Sequence, residues 1–522
     1  MELNLKNFRE SWIRLEKAKG VEFQNLLREF YLFLSHELKF TLRQIRFHSK
    51  FAVGFYDMSE LRIEVSEETP IFFLQHTFLN ESEIDDIIYN IKGSLYKRNL
   101  QENISFLCIT GNEKYILEKV RDSYLDLIVL NRQKISNILT SDNRIRTFVD
   151  TIGEQSGISI ISPYSSTRIP IGAMFYGRKK EIKKIIRSKF ETNFAIIGSR
   201  RIGKTSLMLN VKKYLDNDDF YETKFYDCYR INNSYDFVQL IASDLDIRSA
   251  QRTRVSTFYD FMKRMKAKYR KKFILFIDEF DQLLEYDKTL DGELSKIFHA
   301  LALEDICKIV IAGYRILNDY INNINSPFYK YFEVAYIKEL DHDDARQLIL
   351  EPFDDLGIRI HDKNSFSERI MHLTANHPHF IQFFCSKLVE LLNEKSDKEL
   401  NMKDIDRVEN MNEYNDFILD TFLVNADEFQ QLIVYEMLER KSFNEKTILE
   451  YLKKDFNLNF SLNSVQRDCR SLILANILTK EKGEYRLSYP ALSYILKNNY
   501  DLDFSKNRLV QEISSREKFN AR

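Results

Sequence analysis

The chain has 522 residues, 44% of them hydrophobic, and a formal net charge of −1. At roughly 150 residues per domain this length predicts three or four domains with true cores, and the near-zero charge excludes a global pull toward nucleic acid or anionic membrane. Five cysteines (Cys108, Cys228, Cys307, Cys385, Cys469) lie far apart, without the paired spacing of a zinc site or a disulfide framework.

In chain order, Met1–Trp12 is charged throughout and lacks the apolar centre of a signal peptide. No apolar run approaches the ~18 residues of a membrane span, so a cytoplasmic protein with no membrane partner is expected. Over 1–140, helical and strand patterns alternate, as in an N-terminal α/β domain. Val21–Leu34 has helical spacing; Phe51–Phe55, Leu61–Val65, Ile71–Phe78 and Ile104–Thr110 read as strands. Ile84–Leu95 and Lys114–Tyr124 read as helices, followed by a short strand at Leu125–Leu130. Residues 141–174 are denser in Gly, Ser, Pro and Thr, which marks a connector.

Region 175–340 carries the chemistry. Gly198-Ser199-Arg200-Arg201-Ile202-Gly203-Lys204-Thr205 is a complete G-x-x-x-x-G-K-[ST] phosphate loop, preceded by the apolar strand Phe194–Ile197. Ser206–Tyr214 continues it as a helix, with Leu207, Val211 and Tyr214 at helical spacing. The glycines let the backbone wrap a phosphate, the N–H groups face the anion, and Lys204 neutralises the β/γ oxygens. Thr205 supplies a hydroxyl to Mg²⁺. Downstream, the apolar run Phe273–Ile277 predicts a buried parallel strand that delivers Asp278 and Glu279 to its C-terminal end. Asp278 is placed to hold Mg²⁺ through its water shell, and Glu279 to orient and deprotonate the attacking water. Asp281 reads equally well as part of a solvated acidic turn. A nucleoside triphosphate and Mg²⁺ are the expected cofactors.

Residues 341–420 read as a helical lid, 421–500 as a winged helix and 501–522 as a C-terminal tail. In the winged-helix region, helices are expected at 427–440 and 444–454, and a third opens at Asn463 or Ser464. Strands Ile477–Lys480 and Glu484–Leu487 flank a hairpin signal at Lys482-Gly483. Lys plus Arg number 11 over 425–500 against 10 Asp plus Glu. That balance lacks the basic footprint of tight duplex binding, so packing against the ATPase is favoured over DNA, although Arg467, Arg470 and Lys482 are within reach of phosphates.

Phe175-Tyr-Gly-Arg-Lys-Lys-Glu181, with Gly177 placed 21 residues before Gly198, is similar to the hydrophobic-x-G-R-x-x-E box of STAND-type ATPases and origin-recognition-type AAA+ proteins. The resemblance implies adenine and ribose contacts for Phe175, Gly177 and Arg178. The strand Lys308–Gly313 leads through Tyr314 to Arg315, where STAND proteins place a γ-phosphate sensor; a surface arginine after a core strand is the alternative. Leu373–Gln382 resembles the G-x-P lid motif with Asn376 in place of Gly, which implies that Pro378 touches the adenine. His377 and His379 have no acidic or Cys partner nearby for a metal site. Tyr336–Pro352 resembles the strand-to-lid passage of prokaryotic STAND proteins, with Asp341 or Asp343 as N-cap of a helix ending before the proline.

The N-terminal region resembles Mrr-type restriction-endonuclease folds through Gly20–Phe23, Asp57 and Phe72–Thr77. Gln75 fits the family's variant pattern, but Thr77 stands where a lysine belongs, so a nuclease-like fold without chemistry is expected; an unrelated α/β domain is the alternative. The whole implies an α/β chain with a P-loop NTPase core, a helical lid, a C-terminal winged helix and a restriction-endonuclease-like N-terminal domain. Its expected behaviour is that of an ATP-driven switch that self-associates as a homo-oligomer in the ATP state and answers to a protein trigger or effector. Three other readings stay open: a DNA-binding initiator or transposition-type ATPase, an ATP-gated nuclease, and a scaffold that binds nucleotide without hydrolysis.

Overall fold

The computed structural model spans the full chain, and the described residues are all except 1–6, 49–50, 60, 64, 66–67, 76–79, 101–102, 111–113, 123–124, 189–190, 232, 246–254, 270, 289–291, 396–397, 440–442, 500 and 521–522. Thr77 and the end of the strand expected over Ile71–Phe78 therefore lie outside them.

Two five-stranded sheets organise the first two-thirds of the chain. The first takes β1 (Thr41–Phe47), β2 (Phe51–Asp57), β3 (Thr69–Leu74), β4 (Ser105–Ile109) and β5 (Leu127–Leu130) in sequence order. Strands β1 to β3 are antiparallel, and β3 to β5 are parallel across the helices Glu81–Tyr96 and Lys114–Asp122. One face packs Phe51, Val53, Phe55 and Phe72 against Ile84, Ile87 and Ile91 of Glu81–Tyr96. The other packs Tyr56, Phe73 and Phe106 against Trp12, Phe30, Tyr31 and Phe148. The far edge at β5 is covered by a side chain acting as a strand: Gln155 accepts from Val129 N–H at 3.0 Å and donates to Val129 O at 3.1 Å.

One expectation fails here and one strand was not foreseen. The described residues of Leu61–Val65 are not in a strand; Leu61 N–H closes a turn on Met58 O at 2.9 Å. Its period-2 pattern comes from a loop laid over the core, with Ile63 buried. Strand β1 was not expected, because a bulge between Leu42 and Gln44 breaks the alternation of Leu42, Ile45 and Phe47.

The second sheet is wholly parallel, in the order β10 (Phe332–Tyr336), β6 (Asn193–Ile197), β9 (Cys307–Gly313), β8 (Lys272–Asp278) and β7 (Tyr221–Asp227). Its three central strands, β6, β9 and β8, are near-continuous apolar runs, as burial on both faces demands, while the edge strands β10 and β7 are half-exposed. The order is not sequential, so the loop after β6 and the tip of β8 share the C-terminal edge with only β9 between them.

Helices His342–Leu356, Lys363–Thr374 and Pro378–Glu394 form a layer over this edge, tied below by the two-residue parallel pair β11 (Arg359–Ile360) and β12 (Glu399–Leu400). The helix expected to end before Pro352 instead runs through it to Leu356. Tyr164 Oη donates to Ile349 O at 2.6 Å in the turn the proline disturbs. Asp341 occupies the N-cap position without a side-chain cap bond. After Asn412–Asn425 come helices Glu428–Glu439, Glu445–Phe456 and Leu462–Leu474, then the antiparallel pair β13 (Leu478–Glu481) and β14 (Glu484–Leu487). Ser461, not Asn463 or Ser464, caps the third helix by accepting from Ser464 N–H at 3.1 Å. The segment expected as a tail is a helix, Leu502–Asn520. Its buried Lys506 ammonium sits 2.9 Å from Glu439 and 3.4 Å from Glu436 on helix Glu428–Glu439.

The N-terminal sheet and its helices are joined to the layer formed by helices His342–Leu356, Lys363–Thr374 and Pro378–Glu394. Arg62 pairs with Glu351 at 2.8 Å and Asp355 at 3.0 Å, Lys398 with Asp150 at 2.7 Å, and Arg146 donates to Asp354 O at 3.0 Å. Tyr164 and Phe353 rings meet at 5.0 Å inside one continuous apolar core.

Candidate functional site

Strand β6 ends at Ile197, and the chain then loops over the sheet edge into helix Lys204–Leu215. Gly198 is required by close approach: a Cβ there would lie 2.8 Å from Ile337 O and 2.9 Å from Ile202 Cγ2. Lys204 is buried and its Nζ folds back on the loop, donating to Gly198 O at 3.1 Å and Ser199 O at 2.9 Å. Burial pulls its pKa down, while Glu279, Asp278 and Asp281 oppose that shift. Those carbonyl bonds hold a cation that a phosphate would engage more strongly.

The tip of β8 meets the loop directly. Thr205 Oγ1 donates to Asp278 Oδ2 at 2.5 Å, and Asp278 Oδ1 accepts from Glu279 N–H at 2.9 Å. Asp278 is 3% exposed; burial raises its pKa, against the Thr205 bond and the Lys204 charge. Burial likewise raises that of Glu279, with Lys204 opposing. Glu279 takes φ 49°, a left-handed backbone unusual for a non-glycine residue, and its side chain enters the cleft beside the loop. A hydroxyl and a carboxylate oxygen in direct contact are hard donors that fit Mg²⁺, which takes few protein ligands and completes its shell with waters and phosphate oxygens. Among the described residues no group of three or more His, Cys, Asp or Glu is placed to hold a metal alone.

A cleft of about 820 Å³ opens in front of these groups. Of the residues expected to bind nucleotide, Phe175, Arg178, Arg200, Arg201, Ile202, Gly203, Lys204, Thr205, Ser206 and Pro378 line it, as does the expected base Glu279, whereas Gly198 and Ser199 lie outside the lining. Arg178 also spans its wall, with Nη2 donating to Lys338 O and, at 3.3 Å, to Ile202 O. Gly177 lies behind, at φ 73° against Asp344. Pro378 opens helix Pro378–Glu394 after Ala375 and Asn376, both left-handed at φ 47° and 57°, so Asn376 adopts the backbone expected of the glycine it replaces. His379 Nε2 lies 2.9 Å from Arg201 Nη1, and burial with that guanidinium pushes its pKa down to about 3.

Two residues sit elsewhere than the sequence suggested. Asp281 accepts from Tyr314 N–H at 2.5 Å, Ile316 N–H at 2.8 Å and Leu317 N–H at 3.2 Å, so it caps helix Arg315–Asn322. The Arg315 side chain is outside the cleft lining. Its Nη2 donates to Asn425 O and its Nη1 lies 3.9 Å from Asp427 Oδ2.

Sequence reasoning missed two groups. Residues Ser165–Pro170 of the expected connector line the cleft, with Ser165 N–H bonded to Gln382 Oε1 at 3.2 Å. The following C-terminal region also reaches the phosphate loop: Asn425 Oδ1 accepts from Arg200 N–H at 3.4 Å, and Asn476 Nδ2 donates to Ser199 Oγ at 3.4 Å. Its helix Asn412–Asn425 contributes Phe417, Asp420 and Thr421 to the lining. The density of small polar residues in 165–170 was the available signal for the first group; the second is purely tertiary.

In the N-terminal sheet, β2 and β3 pair with Phe51 opposite Leu74 and Tyr56 opposite Thr69. Asp57 and Gln75 therefore lie at opposite ends of the hairpin, seven residues or about 24 Å apart at ~3.4 Å per residue. Asp57 is bound to Arg43 and to Ser59 N–H, and Gln75 Nε2 caps helix Phe8–Lys17 through the carbonyls of Leu15, Glu16 and Ala18. Glu22 is exposed and pairs with Arg14 at 3.5 Å. These residues do not converge on one phosphate.

The fold and the loop geometry define a P-loop ATPase core within an α/β chain. A family model described as an AAA domain matches residues 189–321, so the chain carries an AAA-type ATPase domain. Among solved structures, the Walker-type ATPase of Pyrococcus abyssi is 18% identical, with 62% of this chain and 96% of that one covered at a TM-score of 0.48. The ORC2 protein of Aeropyrum pernix, in ADPNP–ADP complexes, is 11% identical, with 67% and 98% covered at 0.49. The ORC1 protein of that organism, in complex with DNA, is 12% identical, with 62% and 94% covered at 0.37. No curated protein matches the chain. Among the described residues, no helix is long and apolar enough to cross a membrane.

Proposed function

We propose that this protein is an ATP-hydrolysing molecular switch of the STAND type. The observation that carries the reading is the contact of Thr205 with Asp278 beside the buried Lys204, with Glu279 at the cleft wall. Lys204 would leave the carbonyls of Gly198 and Ser199 for the β/γ-phosphates, and Thr205 and Asp278 would hold Mg²⁺. The metal would neutralise charge on the phosphate oxygens. Glu279 would orient the attacking water and accept its proton. Phe175, Arg178 and Pro378, with Ser165–Pro170, would enclose the base and ribose.

The switch element is the C-terminal region 421–500, whose three helices and hairpin fit a winged helix. It rests on the phosphate loop through Asn425 and Asn476 and holds Arg315 away from the cleft. Among the described residues, two buried polar atoms near this junction, Glu339 Oε2 and His377 Nδ1, have no hydrogen-bond partner. Each such orphan costs ~1–3 kcal/mol, which favours reading the docked arrangement as a releasable resting state. ATP would compete for it, freeing Arg315 to sense the γ-phosphate. The lid would carry the motion to the N-terminal domain through the Arg62, Lys398 and Tyr164 contacts, and self-association or an effector protein would read it out. A prokaryotic signalling or phage-defence setting, in the cytoplasm, fits the family resemblance.

The test is a pair of substitutions. Lys204→Ala should abolish binding of a fluorescent ATP analogue. Glu279→Gln should retain it while turnover drops on the order of 10²-fold or more. Full binding by the first variant, or unchanged phosphate release by the second, would refute the reading.

A further inference from the structure

The N-terminal domain has its own cleft, of about 780 Å³, between β1 and helix Glu81–Tyr96. That helix covers β2 to β4 and leaves the matching face of β1 open, so Gln44 and Arg46 on the edge strand, and His48 just after it, look across a groove toward Lys97 and Arg98. The lining also includes Tyr89, Asn90 and Ser94, and among the described residues it contains no carboxylate.

The cations are organised in advance. Gln44 Oε1 accepts from Arg46 Nε and from Arg98 Nη2, both at 3.1 Å. Both guanidiniums lie over the Phe55 ring, 6.0 and 4.0 Å from its centroid. Glu68 pairs with Arg98 at 2.5 Å, whereas Arg46 has no carboxylate partner among the described residues. Glu68 already compensates Arg98, so Arg46, with the exposed Lys97, is the cation left to take an incoming anion. Planar guanidinium forks match phosphate oxygens. Flat rings stand beside the cations: Tyr89 is 77% exposed, and the His48 ring stacks on Phe51 at 4.4 Å and 19°.

We propose that this groove binds single-stranded nucleic acid. Arg46, steadied by Gln44 beside the Glu68-paired Arg98, takes a backbone phosphate, Lys97 a neighbouring one, and Tyr89 and His48 present stacking faces to unpaired bases. A stacked duplex cannot use those rings, and an acidic peptide has no planar bases to lay on them. The near-neutral C-terminal region is thereby relieved of the nucleic-acid contact.

The test is fluorescence anisotropy of a labelled 20-nucleotide oligothymidylate with the full-length protein across a salt series. The double variant Arg46→Glu/Lys97→Glu should bind at least ~10-fold more weakly at low salt. Its plot of log affinity against log salt should be shallower by about 1.4, from two phosphate contacts at ~0.7 each. Tyr89→Ala should lose roughly 5-fold or more. Lys97→Glu alone, at an exposed position, supports the case if the double variant misfolds as judged by Trp12 fluorescence. Arg467→Glu/Lys482→Glu, in the C-terminal region, should bind as the wild type does. The proposal is overturned if the wild type does not bind at the lowest salt, or if the groove variants bind equally well. It is also overturned by tighter binding of a duplex of the same length, or by polyglutamate displacing the strand at equal charge concentration.

Discussion

Replacing Asp281 by alanine separates architecture from chemistry at the tip of β8. The carboxylate accepts from three backbone N–H groups at the start of helix Arg315–Asn322. Losing a helix cap costs ~0.5–2 kcal/mol, and hydrogen bonds to a charged acceptor are worth ~1.5–3 kcal/mol each. Water reaches this half-buried site and restores part of that loss, which brings the expected local cost to about 2 kcal/mol. The chain's single tryptophan, Trp12, sits in the N-terminal core and does not report on this helix. Hydrogen exchange over residues 307–322 does. Protection there should fall about 30-fold, the population change equivalent to 2 kcal/mol, with ATP affinity within a few-fold of wild type. Asp281→Asn, which keeps an acceptor oxygen, should lose less. Unchanged protection together with abolished hydrolysis would refute the capping role and move Asp281 into the catalytic group.

Three further outcomes are expected. Asn425→Ala/Asn476→Ala removes two long hydrogen bonds to the phosphate loop, worth about 1 kcal/mol together, so apparent ATP affinity should rise about 5-fold as the competing docked state weakens; unchanged or weaker affinity would contradict the resting-state reading. Burial raises the Glu279 carboxyl above its ordinary range, so kcat/KM should be retained at neutral pH and lost as pH falls through that raised value. An acid limb in the ordinary glutamate range, or none, would argue against Glu279 as base. Gly357→Ala places a Cβ where the Arg146 guanidinium lies, at a backbone of φ 75°. It should destabilise the chain by ~1 kcal/mol or more and raise exchange in helix Arg144–Ser156; unchanged exchange would show that Arg146 does not couple the N-terminal domain to the lid.

The legible part of this chain is the part whose chemistry is local. Gly198 through Thr205 and the Phe273–Glu279 strand announce themselves because backbone wrapping, helix start and carboxylate delivery are fixed by neighbours in sequence. The left-handed Asn376 was readable for the same reason. Arg315 was not: its position after β9 is local, but its partners Asn425 and Asp427 are set by how a distant helix packs. The contribution of Ser165–Pro170 depends on the connector folding back over the cleft, and the capping by Gln75 on helix Phe8–Lys17 depends on the sheet's depth. Strand β1 escaped because its bulge spoils the period, while Leu61–Val65 mimicked a strand because alternate side chains of a loop can also face a core.

The most direct measurement is a crystal structure of the Glu279→Gln protein with ATP and Mn²⁺ in place of Mg²⁺. The account predicts an anomalous metal peak beside Thr205 and Asp278, joined to the β- and γ-phosphates. Lys204 Nζ should have moved from the carbonyls of Gly198 and Ser199 onto the phosphates. Nucleotide bound elsewhere, or Lys204 still on those carbonyls with the triphosphate in place, would contradict it.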